Sequence, residues 1–271
     1  MNRIHLPDNV VDAVHRRWPD LGPAWSARVV DELDDVCRTV SATTRRVLPA
    51  RYGLVVSVAT PDGPLVLRAS ADPDGWAQLT VSRTLAELGA GPAIHDWRAT
   101  STGSWTIMDQ VVPGTTFYDA RLTPHRIAGL AATLAAMVGR RPPEGLSRIG
   151  DWLSDRLTTC ARNDLAPGLH EAPDGERAKA AAILAELLAT GHDGLCHGDT
   201  SLGNVLVGPD HRIMLVDTRG MSGEVAFDVA VVAIKAEVNG APLDVDGLAR
   251  RVGVDPERVR AWVSVAIAAR V

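Results

Sequence analysis

Three oxygen-bearing side chains surround a pair of short apolar runs late in the chain. Asp199 and Asn204 precede the run at residues 205–207, and Asp217 directly follows the run at 213–216. The runs are short and rich in β-forming residues, and the Gly-Pro-Asp between them favours a turn, so they predict a β-hairpin. Such a hairpin would bring the three side chains to one point. Their oxygen atoms suit a hard cation such as Mg²⁺ held beside phosphate groups.

The composition is ordinary for a soluble globular protein. The 271 residues are enough to bury a core, and 46% of them are hydrophobic and 23% charged. No apolar run approaches the roughly 18 residues that a membrane span needs. The net charge of −5 argues against a general nucleic-acid binder. We therefore expect neither a membrane nor a nucleic acid as a partner.

The cysteines indicate a reducing compartment. Cys37, Cys160 and Cys196 are odd in number, scattered, and without the spacing of a metal site. We expect them to be reduced thiols in the core of a cytoplasmic protein.

Charge is unevenly distributed along the chain. Residues 141–271 hold 19 acidic and 14 basic side chains, so the acidic excess lies in the second half. A cationic substrate would fit this excess, although a solvated acidic surface is the interpretation we favour. Lysine is rare, and Lys179 is the first in the chain.

Changes in hydrophobic period divide the first part of the chain. Residues 1–40 carry apolar side chains near helical spacing and predict an N-terminal helical extension. Residues 41–110 predict a small antiparallel sheet with one inserted helix. Its elements are a hairpin at 52–70, a helix at 74–88, and strands at 93–97 and 104–111.

Residues 111–271 predict a larger and mainly helical segment that carries the acid hairpin. Most of its apolar residues recur at helical spacing. The predicted helices lie at 128–138, 149–160, 175–188, 224–238, 245–252 and 256–269.

The motif His197-Gly198-Asp199-x-x-x-x-Asn204, with Asp217 thirteen residues later, resembles the aminoglycoside phosphotransferase and choline-kinase-like small-molecule kinases. Residues 105–114 are similar to the family's hinge strand and the Pro-Gly after it, and Asp228 falls at its Asp-Leu-Ala helix start. The resemblance implies an α+β, two-lobed, protein-kinase-like fold. Residues 4–8 resemble the streptomycin- and hydroxyurea-phosphotransferase branch.

The resemblance also implies roles for the hairpin residues. Asp199 would be the catalytic residue that accepts or orients the proton of the acceptor hydroxyl. Asn204 and Asp217 would bind Mg²⁺ with room left for waters and phosphates. His197 and Asp228 would support the catalytic loop structurally.

The implied nucleotide-binding residues depart from the family. Kinases place a lysine on the third strand, but Arg68 stands there, and arginine is not interchangeable with lysine. Gln78 is nearest the place of the lysine's usual glutamate partner. Gly53 is the one glycine in the expected phosphate-covering loop. The backbone from Asp109 to Val111 would contact adenine.

Substrate contacts are predicted from acids near the hairpin. Asp151, Asp155 and Glu224 could meet a cationic substrate, although ordinary surface carboxylates would look the same in sequence. For Arg219, an ion pair with Glu224 is preferred over a contact with phosphate.

The resulting hypothesis is an ATP- or GTP-dependent kinase, using Mg²⁺, that phosphorylates a hydroxyl group of a small and possibly cationic molecule. An antibiotic is the favoured substrate. A metabolic kinase for a nucleoside, sugar or amino alcohol is compatible with the same residues. A nucleotide-binding pseudokinase is the alternative from another class. A monomer or homodimer is expected.

Overall fold

The computed structural model describes residues 4–159, 165, 168–191 and 193–271. Cys160, expected above to be a core thiol, lies outside these residues. The chain divides into two compact units. Unit 1 runs to Leu79 and resumes over Ala93–Gln110, and unit 2 comprises Thr80–Pro92 and Val111–Val271.

Unit 1 packs two helices against an antiparallel sheet in the strand order β1-β2-β3-β5-β4. The elements are α1 (Asp8–Arg17), α2 (Gly22–Thr39), β1 (Thr43–Leu48), β2 (Gly53–Thr60), β3 (Gly63–Ser70), β4 (Ile94–Ala99) and β5 (Ser104–Asp109). The sequence pattern does not predict strand β1. Its polar Thr-Thr-Arg-Arg start is the reason that the hydrophobic pattern indicates no strand there.

The core of unit 1 forms because α2 repeats apolar residues on one face. Trp25, Val29 and Leu33 lie at helical spacing and are buried with sheet residues such as Leu67 and Trp105. The indole nitrogen of Trp105 is satisfied within this core, since it donates to a carboxylate oxygen of Glu32 on α2 at 3.0 Å. The helix α3 (Gly75–Glu87) begins in unit 1 and ends in unit 2.

Unit 2 is mainly helical and holds two small sheets. Its helices are α4 (Pro124–Ala135), α5 (Ile149–Thr158), α6 (Asp174–Thr190), α7 (Val225–Val238), α8 (Val245–Val252) and α9 (Pro256–Ala268). One sheet joins β6 (Thr115–Thr116), β9 (Val205–Val207) and β10 (Ile213–Leu215) in the order β10-β9-β6. The other joins β7 (Ser147–Arg148), β8 (Gly194–Leu195) and β11 (Met221–Gly223) in the order β7-β11-β8.

The helix α7 is the centre of the unit 2 core because it is apolar on nearly every face. Ten of its residues are buried, as expected for a helix that is surrounded by others. Phe227 packs edge to face with Trp262 of α9, with ring centroids 5.6 Å apart. This helix also carries Asp228, a buried residue of the candidate site.

Capping residues indicate the observed helix starts more accurately than the spacing of apolar residues does. Thr123 accepts a hydrogen bond from the backbone of Arg126 and Pro124 occupies the first turn, so α4 begins four residues before its predicted start. Asp255 and Pro256 start α9 in the same way. In the part of the chain that the structure describes, no helix combines the length and apolar character needed to cross a bilayer.

Candidate active site

The segment between β8 and β9 forms a loop braced from inside by His197. The imidazole is fully buried, and its Nδ1 accepts the backbone N–H of Asp199 at 3.2 Å. Nε2 must therefore carry the proton, which it donates to the carbonyl of Val216 at 2.9 Å. Burial lowers the pKa of His197, against a smaller raising effect of the Asp199 charge. The ring is thus a neutral brace between the loop and the strand end at Val216.

Asp228, at the start of α7, holds the same loop by its backbone. Its two carboxylate oxygens accept the N–H groups of His197 at 2.9 Å and Gly198 at 2.8 Å. The hydroxyl of Thr200 donates to the Asp228 carbonyl at 2.6 Å. Burial raises the pKa of Asp228 to about 7, while the two N–H donors act to lower it. These contacts are the ones that a loop-anchoring role requires.

Gly198 lets a neighbouring arginine lie against the loop. Its φ of +79° is a left-handed conformation, and a Cβ there would come within 2.9 Å of the Arg219 Cβ. The Arg219 Nε donates to the Gly198 carbonyl at 3.0 Å, and its Nη2 lies 3.4 Å from an Asp199 carboxylate oxygen. The predicted ion pair between Arg219 and Glu224 is therefore wrong. Arg219 contacts the loop instead.

Asp199 is held by its backbone and presents its carboxylate at the surface of unit 2. Its carbonyl accepts the side-chain N–H of Asn204 at 2.9 Å. Its side chain is one-third exposed, and Arg219 is its ion-pair partner. A partly solvated carboxylate on a braced loop can accept a proton from an approaching hydroxyl group.

Asn204 and Asp217 lie on neighbouring strand ends, as the hairpin predicted. The Asn204 carbonyl accepts the N–H of Val216, the residue before Asp217, at 3.0 Å. Asp217 has a φ of +60°, an uncommon conformation that clusters at functional sites. The turn of the hairpin is a short 3₁₀ segment, Pro209–His211.

Asn204 and Asp217 fit Mg²⁺ better than they fit a metal ion whose ligands are all protein side chains. Among the residues that the structure describes, no group of three or more His, Cys, Asp or Glu could hold a metal by itself. Mg²⁺ is bound through one or two protein oxygens together with phosphates and waters. The Asp217 carboxylate and the Asn204 amide oxygen provide that kind of donor set.

In unit 1, the sequence analysis did not identify Asp72 as a group that acts on Arg68. Arg68 lies on β3 opposite Val55 and Thr106 of the neighbouring strands. Asp72, just after β3, accepts the backbone N–H of Asp74 at 2.9 Å and the Gln78 side-chain amide at 2.8 Å. Burial raises the pKa of Asp72, and the Arg68 charge is among the effects that lower it.

The Arg68 charge thus acts on the Asp72 carboxylate, to which the Gln78 amide donates. The pairing of Gln78 with Arg68 stays a prediction. An Asp four residues after a strand arginine, and just before a helix, was the available sequence signal.

Gly53 and Asp109, two of the predicted nucleotide contacts, are engaged in the sheet of unit 1. Gly53 is the first residue of β2, and a Cβ there would lie 2.4 Å from the Ala69 carbonyl oxygen, so close strand pairing requires this glycine. The Asp109 N–H donates to the Ala93 carbonyl at 2.9 Å, and its carboxylate pairs with His95 at 2.6 Å. The Asp109 N–H is therefore used within the sheet, and the contact of residues 109–111 with adenine stays a prediction. Val111 is buried at the start of the second segment of unit 2.

The three predicted substrate acids are not equivalent. Asp151 and Asp155 are exposed on α5, as the prediction needs. Glu224 instead forms a bidentate ion pair with Arg258 of α9 and accepts the Trp262 indole N–H at 3.3 Å. The hydrogen bond to Glu224 raises the pKa of Arg258, more than burial lowers it. Glu224 therefore has a structural role in joining the start of α7 to α9, and its contact with substrate stays a prediction.

We expect Glu224→Gln to lower the free energy of unfolding by about 2 kcal/mol, because it leaves the mostly buried Arg258 guanidinium without its counter-ion. Urea denaturation at pH 7 measures this loss. Glu257→Gln is the matched control, since Glu257 is 86% exposed and should change stability little. Equal stability of the two variants would contradict the structural role of Glu224.

Comparisons with known proteins agree with this geometry. Residues 45–262 match the family described as the phosphotransferase enzyme family. A hydroxyurea phosphotransferase of Kitasatospora aureofaciens is 35% identical over 152 residues, which are 53% of this chain and 42% of that protein. The chain thus matches less than half the length of this relative.

Solved structures share the fold. A choline/ethanolamine kinase family protein from Mesorhizobium loti superposes with a TM-score of 0.64 at 15% identity, covering 88% of this chain and 83% of that one. A spectinomycin phosphotransferase in complex with ADP and spectinomycin gives a TM-score of 0.60 at 12% identity, covering 86% and 83%. The predicted α+β fold and the predicted family resemblance are both confirmed.

Proposed function

The chain belongs to the phosphotransferase enzyme family, and we propose that it transfers the γ-phosphoryl group of ATP or GTP to a hydroxyl group of a small molecule. The observation that carries this proposal is the braced loop of unit 2. Asp199 stands on a loop whose backbone is fixed by His197 and Asp228. Because phosphoryl transfer depends mainly on positioning and charge stabilisation, a carboxylate on a loop whose backbone is held this firmly is what the reaction needs.

In this proposal Asp199 accepts a hydrogen bond from the acceptor hydroxyl and takes its proton as the oxygen attacks. Arg219 keeps the carboxylate in place through its contact with the Oδ2 atom. Asn204 and Asp217 would hold Mg²⁺, which when bound neutralises the charge of the nucleotide phosphates. The Asn204 side chain would act twice, since its N–H also donates to the Asp199 carbonyl.

We assign Arg68 of unit 1 to the nucleotide phosphates, with Asp72 and Gln78 keeping its surroundings ordered. A guanidinium is always charged and can bind phosphate oxygens bidentately, so it can take the place of lysine in binding. The ADP complex of a structural neighbour supports a nucleotide of the ATP type.

Arg68→Met should weaken the binding of ADP with Mg²⁺ about tenfold, because one charge-assisted phosphate contact is lost. Isothermal titration calorimetry measures the dissociation constant. Arg45→Met is the control, since Arg45 is an exposed arginine of β1 in the same sheet. Unchanged affinity in Arg68→Met would show that other groups bind the phosphates.

For the substrate we propose an antibiotic or a similarly small toxic compound. The support comes from two relatives, whose names give hydroxyurea and spectinomycin as substrates. The exposed Asp151 and Asp155 on α5 could meet a cationic group of such a compound. The second candidate, a metabolic kinase, is favoured by the similarity to a choline/ethanolamine kinase family protein.

The test is incubation of the purified protein with ATP, Mg²⁺ and a panel of hydroxylated compounds, followed by mass spectrometry. The panel holds aminoglycosides, spectinomycin, hydroxyurea, choline, sugars and nucleosides. A product heavier by one phosphoryl group from an antibiotic or hydroxyurea supports the proposed substrate. A product from choline, a sugar or a nucleoside alone supports the metabolic alternative. Nucleotide binding without any product supports a pseudokinase.

A further inference from the structure

Trp152 of α5 lies beneath two guanidinium groups. The Cζ atom of Arg219 is 4.2 Å from the centroid of the indole ring, and that of Arg156 is 4.6 Å away. Both distances are within the range of a cation–π interaction, for which tryptophan is the best partner. Trp152 is partly buried and packs against the core of unit 2. The indole therefore provides an aromatic face against which charged side chains can pack.

Arg156 connects the Trp152 ring to the end of α9. Its side chain is buried, with Nε donating to the Ala269 carbonyl at 2.9 Å and Nη2 donating to the Arg270 carbonyl at 2.8 Å. Because Arg156 follows Trp152 by four residues, the two side chains share one face of α5. The position of the ring is thus determined by two helices rather than by α5 alone.

Arg219 connects this ring to the candidate catalytic residue. Its guanidinium rests on Trp152, while its Nε donates to the Gly198 carbonyl and its Nη2 lies 3.4 Å from the Asp199 carboxylate. An arginine side chain at a partly exposed position would otherwise sample many rotamers. Packing against the indole restricts this freedom, so the guanidinium stays beside Asp199.

We propose that Trp152 is a positioning residue for Asp199 and that it acts through Arg219. The inference rests on the proposed function, because it assigns Trp152 a part in that reaction. Without the indole, Arg219 would leave the loop for part of the time and the Asp199 carboxylate would lose a fixed partner. The fraction of bound complexes in reactive geometry would fall. Nucleotide binding does not use these residues and should be unaffected.

The kinetic test compares variants with a product-forming substrate. We expect Trp152→Leu to lower kcat about tenfold with the KM for ATP unchanged. Trp152→Phe keeps an aromatic face and should recover most of the lost kcat. Arg219→Met should lose at least as much as Trp152→Leu. The double variant should be no worse than Arg219→Met, since both changes act on one contact.

Arg250→Met is the matched control, because Arg250 forms an exposed ion pair with Asp246 on α8. Its kcat should equal that of the wild type. Equal losses in Trp152→Leu and Trp152→Phe, or additive losses in the double variant, would overturn the inference. So would a fall in kcat accompanied by a matching rise in the KM for ATP.

A second measurement does not depend on turnover. Hydrogen exchange of the Arg219 Nε–H, assigned by NMR with Arg219→Lys as the reference, reports its hydrogen bond to the Gly198 carbonyl. We expect slow exchange in the wild type and in Trp152→Phe, and faster exchange in Trp152→Leu. Unchanged exchange in Trp152→Leu would overturn the inference. A wild type that forms no product would instead count against the proposed function, while the exchange rates would still decide the role of Trp152.

Discussion

Asp199→Asn is expected to lower the rate of phosphoryl transfer about 10³-fold while leaving nucleotide affinity unchanged. The substitution keeps the shape of the side chain but removes the charge and the ability to accept a proton. The loop itself should persist, because its bonds to His197 and Asp228 use backbone groups of residues 197–199. Turnover with a product-forming substrate and binding of ADP by calorimetry separate the two effects.

The control for this variant is Asp210→Asn in the turn of the acid hairpin. Asp210 is exposed and has a φ of +52°, a conformation that asparagine tolerates well. Its turnover should remain at the wild-type rate. If Asp199→Asn also retains most of the wild-type rate, another residue accepts the proton and the assignment of Asp199 is wrong.

Asp228→Asn is expected to change how stability depends on pH. In the folded protein burial raises the pKa of Asp228 to about 7, from an ordinary value of 3.8. Between these pH values the folded protein keeps a proton that the unfolded chain has released. The stabilising contribution of Asp228 is therefore fully present below about pH 4. It is lost as the pH rises to about 7.

The asparagine variant lacks this titration, so the wild type should lose stability relative to the variant as the pH rises. The free energy of unfolding of the wild type should fall by on the order of 4 kcal/mol relative to the variant between about pH 4 and pH 7. Urea denaturation of both proteins at several pH values between 4 and 8 measures it. His197 titrates in both proteins, so its effect is largely removed in the difference. A stability difference that is constant, or that grows in favour of the wild type with rising pH, would contradict the raised pKa of Asp228.

The acid hairpin and most helices could be predicted because their signals are local. The apolar runs around the turn determine strands that place Asn204 next to Val216. The helix α8 has the predicted bounds, since Asp244 caps its start and Gly253 ends it in a left-handed conformation. Local pattern and spacing were sufficient wherever neighbours in sequence determine the structure.

Contacts between distant residues could not be predicted in the same way. Glu224 pairs with Arg258, 34 residues further along the chain, and not with the nearby Arg219. Arg219 instead meets Trp152 and Asp199, which belong to other elements. Asp72 was missed because a carboxylate that ends a strand also looks like an ordinary helix-capping residue. In each case the packing of separate elements decides which charge finds which partner.

Phosphoryl transfer to a small molecule is decided by ³¹P NMR of reaction mixtures that contain the wild-type protein, ATP, Mg²⁺ and each compound of the panel in turn. We expect one phosphate ester of the small molecule for each ADP formed, and no ester with Asp199→Asn. Formation of ADP and inorganic phosphate without an ester, for every compound in the panel, would contradict phosphoryl transfer to a small-molecule hydroxyl group.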